Sequence, residues 1–141
     1  VKTTMHGFDP SRLFLAFVGL VYVSLAFWCT ILPEATAQAV GFELLSGSGQ
    51  SEYYVVYGGL QLALGIAFLW PLWQPNDVGF ALRLCFLIHT CLVAFRTASL
   101  LAVHEVGSTT YGLAAGEWTI LIGTLLVWRL HSNSRSMAES S

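Results

Sequence analysis

Within 141 residues the chain holds four apolar stretches, 13–32, 54–73, 78–103 and 114–130, each close to the length that crosses a bilayer. At a rise of about 1.5 Å per residue, about 20 apolar residues traverse a hydrocarbon layer about 30 Å thick. The third stretch is long enough to tilt or to protrude. A helix in a soluble domain keeps a polar outer face, and residues 13–32 and 54–73 offer almost none. Charged residues make up only 10% of the chain and hydrophobic residues 55%, where soluble domains carry roughly 25% charged residues. The chain therefore reads as all-α, an integral membrane four-helix bundle. Residues 1–12 form a cytoplasmic N-terminal segment, 13–130 the four-transmembrane-helix domain, and the Ser-rich residues 131–141 a disordered cytoplasmic tail.

The basic residues orient it. Lys2 and Arg12 precede the first stretch, Arg129 and Arg135 end or follow the fourth, and Arg83 lies just inside the third. Loops 33–51 and 104–113 contain no Lys or Arg. The positive-inside rule then predicts cytoplasmic termini and places those two loops outside. Trp28 and Trp118 fall toward the outer ends, and Trp70, Trp73 and Trp128 toward the inner ends, as in an aromatic belt. Ala35-Thr36-Ala37 has the form of a signal-peptidase site, but the preceding run is longer than the about 7–15 residues of a signal core. It reads as an uncleaved signal anchor. Val1 in place of Met points to an alternative start codon or a trimmed terminus.

Local signals place the joints. Asp9-Pro10-Ser11 is a helix entry with Asp9 or Ser11 as cap, and Pro33 closes the first helix. Residues 34–40 are read as a short interfacial helix, residues 46–51 as flexible linker, and residues 74–77 and 107–110 as tight turns. Gly59, Ala63 and Ala67 form one small-residue ridge and Gly112 and Gly116 another, suited to close helix packing in the bundle or to a homodimer. Cys29, Cys85 and Cys91 show no metal-ligand spacing and read as small buried hydrophobes. No metal and no cofactor is expected.

The charges carry the functional signal. A charge in hydrocarbon is costly and usually faces the bundle interior with a partner. Arg96 is about 10 Å from the outer end of the third helix and Glu117 about 9 Å from the outer end of the fourth. Consecutive antiparallel helices pack as neighbours, so the two can meet as a bidentate pair. Tyr53, Tyr57 and Gln61 recur every four residues on the second helix and share a face, with Tyr57 and Gln61 bracketing the level of the pair. His89 is about 20° off the stripe of Arg96 and nearer mid-membrane, and Glu52 stands at the outer rim. The expected site is an outward-facing polar pocket of Glu52, Tyr57, Gln61, His89, Arg96 and Glu117. The competing reading is an Arg96–Glu117 clamp that fixes helix register alone, with Arg83 snorkelling to the inner headgroups.

The run from Glu52 through Tyr57-Gly58-Gly59 to Gly65, with an Arg late in the third helix and a Glu in the fourth, resembles a bacterial family of small four-helix membrane proteins of unknown function. In that family's pattern an acidic residue and an Arg precede Tyr-Gly-Gly. Here Glu52 and Tyr57-Gly58-Gly59 match, Tyr54 stands where the Arg is expected, and Arg96 and Glu117 resemble the other family positions. The resemblance covers about residues 11–130 and implies a bacterial inner-membrane address, with no activity attached.

No nucleotide loop, nucleophile triad or metal motif occurs, and the leading reading is a non-enzymatic bundle. Its expected partners are the lipid bilayer and a membrane protein, a homodimer or a hydrophobic small molecule, with no nucleic acid. The alternatives are a proton-coupled or anion transporter acting as an oligomer, and an intramembrane enzyme on a sterol, quinone or lipid with Glu117 as acid–base and Tyr57 or His89 beside it.

Overall fold

A computed structural model describes the backbone of residues 9–139 and the side chains of residues 9–133. The described chain is all-helical, with five helices, four of them long and apolar enough to span a membrane. They are α1 (Pro10–Ile31), α2 (Pro33–Ala39), α3 (Ser48–Leu72), α4 (Val78–Ala102) and α5 (Ser108–Glu139). Residues 1–8 of the expected N-terminal segment, with Lys2, lie outside the described residues.

Each boundary has a local cause. Asp9 caps α1, its Oδ1 accepting from the Ser11 amide at 2.9 Å, and Pro10 fills the first turn, where no N–H is needed. Pro33 opens α2 for the same reason. Gly41 ends α2 at φ +82°, a left-handed conformation open to glycine, and the Phe42 amide reaches back to the Ala37 carbonyl at 2.9 Å. The short helix expected over residues 34–40 is present as α2, in addition to the four long helices.

Helix limits differ from the hydropathy reading in two places. Residues 48–51, read as linker, form the first turn of α3. Helix α5 starts at Ser108, inside the expected turn, and continues to Glu139 where a disordered tail was expected. Polar residues do not stop a helix that neighbouring turns already nucleate.

One span is not a plain α-helix. Tyr54–Leu60 of α3 winds as a π-helix before α-helical winding resumes at Gln61. The span ends in a 3₁₀ turn at Trp70–Leu72, and a second at Pro75–Asp77 leads into α4. Trp70 Nε1 donates to Asp77 Oδ2 at 3.1 Å across this turn, and Arg12 Nη2 donates to the Leu72 carbonyl at 2.8 Å, tying the start of α1 to the end of α3.

Packing is tightest between α1 and α3. A Cβ on Gly65 would lie 3.0 Å from the Gly19 carbonyl oxygen and 2.7 Å from Val23 Cγ2; one on Gly19 would lie 2.9 Å from the Gly65 carbonyl. The two backbones are therefore in direct contact, the arrangement small residues permit where no hydrophobic force drives helices together. Helix α5 meets α1 where Phe14 covers Gly123. The expected ridges do not do this work. Gly59 meets only its own helix's carbonyl at 4.0 Å, Ala63 is exposed, and Gly112 and Gly116 face open space.

The core joins Leu15, Val18 and Tyr22 of α1 to Phe68 of α3 and to Val78, Ala81, Leu82 and Cys85 of α4. Outward-facing positions are equally apolar, including Leu13, Phe17, Leu20 and Phe27 on α1 and Phe80, Leu87 and Phe95 on α4. An apolar exterior around an apolar core with polar inclusions is the pattern of a protein solvated by lipid. Cys29 and Cys85 are buried as expected, whereas Cys91 is exposed on that outer surface.

Candidate functional site

The short connection between α4 and α5 makes them antiparallel neighbours and brings Arg96 to Glu117 across 21 positions of sequence. Arg96 Nε donates to Glu117 Oε2 at 3.1 Å, and Nη2 donates to Oε1 at 2.7 Å. This fork-to-carboxylate geometry is the strong form of the pair. The pair is not sealed: the side chains are 28% and 14% exposed. Of the five guanidinium N–H donors, two face Glu117, and the other three have no acceptor among the described residues.

Tyr57 stands within coulombic reach of Arg96. Its ring stacks on Tyr53 with centroids 4.6 Å apart and meets Phe42 edge-on at 6.0 Å. Tyr53 donates from its hydroxyl to Thr36 Oγ1 at 2.8 Å, and Thr36 donates in turn to the Leu32 carbonyl at 2.8 Å. Helix α2 is thereby tied to the N-terminal end of α3. The Tyr57-Gly58-Gly59 run lies wholly on the π-helical segment, a winding that recurs at functional sites. Gly58 faces α1: a Cβ there would sit 2.8 Å from Thr30 Oγ1, which already donates to the Ala26 carbonyl. Gln61 follows the π segment, and its side-chain carbonyl oxygen is buried with no hydrogen-bond partner among the described residues.

His89 faces a different set of partners from the one its spacing suggested. It is buried, and its Nδ1 lies 2.9 Å from the Cys85 carbonyl oxygen, which can only accept. Nδ1 therefore carries the proton, and Nε2 accepts from the Tyr22 hydroxyl at 3.3 Å. Thr124 Oγ1 donates to the Ile120 carbonyl at 2.7 Å, leaving the Cys85 thiol to donate to Thr124 at 3.3 Å. Tyr22, Cys85, His89 and Thr124 form a buried polar chain linking α1, α4 and α5. Glu117 lies within coulombic reach of both Tyr22 and His89, on the side of this polar chain nearer the α4–α5 turn.

Of the six expected site residues, Arg96 and Glu117 meet and Tyr57 stands near them. Gln61 follows one turn inward. His89 belongs to the inner polar chain, and Glu52 is exposed at the rim with no bonded partner among the described residues. Three members of the inner chain escaped the sequence reading. Tyr22 sits in an apolar run and reads as hydrophobic, and Cys85 reads as a small apolar residue. Thr124 carried a usable signal: seven residues after Glu117, it lies about 20° from the same helical stripe. No group of three or more His, Cys, Asp or Glu able to hold a metal ion occurs among the described residues.

A family model described as a domain of unknown function, DUF4345, matches residues 10–130. The match reaches into all four membrane-length segments, and the chain belongs to this family, whose function is unknown. No curated protein and no solved structure matched the chain.

Proposed function

We propose that the chain is a non-enzymatic inner-membrane bundle, with both termini cytoplasmic, that binds an amphiphilic ligand at an outward-facing site anchored by Arg96 and Glu117. One observation carries this reading. Arg96 is oriented by a bidentate carboxylate yet keeps three donors without an acceptor among the described residues, on a side chain that is still 28% exposed. A clamp that only fixed register would use the donors that face Glu117, whereas the remaining N–H groups are open to a ligand's oxygen acceptors. A pre-oriented cation with free donors suits a polar head bearing oxygen acceptors.

Two further features support it. The Gln61 carbonyl oxygen calls for a donor, such as a hydroxyl on the same ligand. An apolar groove of about 260 Å³ opens to lipid between α1 and α3 at the outer level, lined by Ala26, Phe27, Thr30, Tyr54, Gly58 and Leu62 among others, and offers surface for a hydrocarbon chain. Purification in mild detergent followed by native mass spectrometry tests the reading. An amphiphile retained by the wild type and lost by a folded Arg96→Met/Glu117→Met variant is the expected result. A ligand-free wild type, or retention by the double variant, overturns it.

A further inference from the structure

The opposite end of the α4–α5 seam presents a second polar surface. Three contacts set the register of the two helices: Cys85 with Thr124, Phe86 with Trp128, and Arg96 with Glu117. Phe86 and Trp128 meet as an edge-to-face pair with centroids 5.5 Å apart. Toward the end of the bundle that holds the start of α1, the next residue on the same face of α4 is Arg83, three positions on. On α5 it is Ser132, four positions on. Both lie about 5 Å beyond the aromatic pair along the helix axes.

Beside this layer α5 carries a groove of about 270 Å³ lined by Leu125, Trp128, Arg129, Ser132 and Asn133. The lining is graded with depth: an aliphatic residue lies deepest, then an indole, then a cation, a hydroxyl and an amide. None of these residues is acidic. Arg83 and Arg129 are both exposed, and neither has an ion-pair partner among the described residues. Arg129 lines the groove one residue beyond Trp128, and Arg83 on the neighbouring helix lies within about 3 Å of it along the helix axes. Two exposed cations beside a groove that is apolar on one side and polar on the other complement a ligand that is anionic at its head and hydrocarbon below.

We infer that this groove, with Arg83 across the seam, binds the phosphate headgroup of an anionic phospholipid in the leaflet at that end of the bundle. Arg129 and Arg83 hold the phosphate from two sides, and Ser132 donates to a third oxygen. Trp128 sits at the level of the ester groups, where indoles concentrate, and an acyl chain runs down over Leu125. The site is separate from the Arg96–Glu117 pair and stands or falls independently of it.

Native mass spectrometry of the full chain from micelles containing equal phosphatidylglycerol and phosphatidylcholine tests the assignment. The wild type should retain phosphatidylglycerol preferentially. Arg83→Gln and Arg129→Gln should each lower that preference about fivefold, the worth of one basic residue near an anionic surface, and the double variant should lose it. Ser132→Glu, which keeps both arginines but places a carboxylate in the groove, should lose it as well. All three positions substituted are exposed, so unfolding temperature should hold and serves as the control. Absence of a preference in the wild type, or a preference unchanged in Arg83→Gln/Arg129→Gln, overturns the proposal. Displacement of phosphatidylglycerol by equimolar inorganic phosphate would overturn the assignment to a lipid, because the hydrocarbon would then contribute nothing.

Discussion

Arg96 and Glu117 form a two-point hydrogen-bonded ion pair, at 3.1 and 2.7 Å, between antiparallel helices toward the α4–α5 turn of the bundle. Removing one partner leaves the other charge without compensation, which typically costs about 3–5 kcal/mol at a buried site. Arg96 keeps partial exposure, so Arg96→Met or Glu117→Met should cost about 3 kcal/mol, at the lower end of that range. The double variant should recover most of the loss. A thermal-unfolding double-mutant cycle in detergent measures this, and additive losses would show that the two residues are not coupled.

The α1–α3 crossing should tolerate no side chain. Gly65→Val places atoms against the Gly19 carbonyl and Val23, both about 3 Å or less from the new Cβ. A loss of about 1–3 kcal/mol is expected from overpacking. Gly112→Ala and Gly116→Ala, which add a methyl to open space, should be neutral or gain up to about 1 kcal/mol from helix propensity. Unfolding midpoints compare the three. A destabilised Gly112→Ala would reveal a contact with a second copy or another protein.

The inner polar chain should behave as a unit. Tyr22→Phe keeps the ring against Phe68, at a centroid distance of 5.5 Å, but deprives His89 Nε2 of its donor. The expected cost is about 1–3 kcal/mol, the penalty for a buried acceptor left unsatisfied. His89→Leu should cost a similar amount. The double variant should cost less than the sum, because no orphaned partner remains. Additive losses would show that the hydrogen bond contributes nothing.

Topology is open to direct labelling. Ser46→Cys, in the loop before α3, should react with an impermeant maleimide applied to intact cells, and Ser132→Cys should react only after the membrane is opened. The reverse pattern would invert the orientation and put the Arg96–Glu117 pair on the cytoplasmic side. The native thiols need no removal for buried Cys29 and Cys85, whereas exposed Cys91 should be replaced by Ala first.

The number of spans and the depth of the charges were legible in the sequence because both are local quantities. Hydropathy sums along a segment, and helical rise turns residue number into depth. Helical rise alone therefore places Arg96 and Glu117 at matching levels across a short turn. The facing of each helix was not legible, because rotation about a helix axis is set by which neighbours it packs against. His89, close to the stripe of Arg96 by counting, turns to Tyr22 because α1 and α3 cross at Gly19 and Gly65 and carry Tyr22 and Phe68 up to α4. The π-helical turns at Tyr54–Leu60 also defeat counting, since a stripe drawn at 3.6 residues per turn fails where hydrogen bonds run five residues back. The same limit applies to the small residues. Sequence showed that glycines sit at helical spacing, but only the packed structure decided that Gly19 and Gly65 touch while Gly112 and Gly116 face outward. Close approach depends on two backbones at once, and a linear pattern describes one.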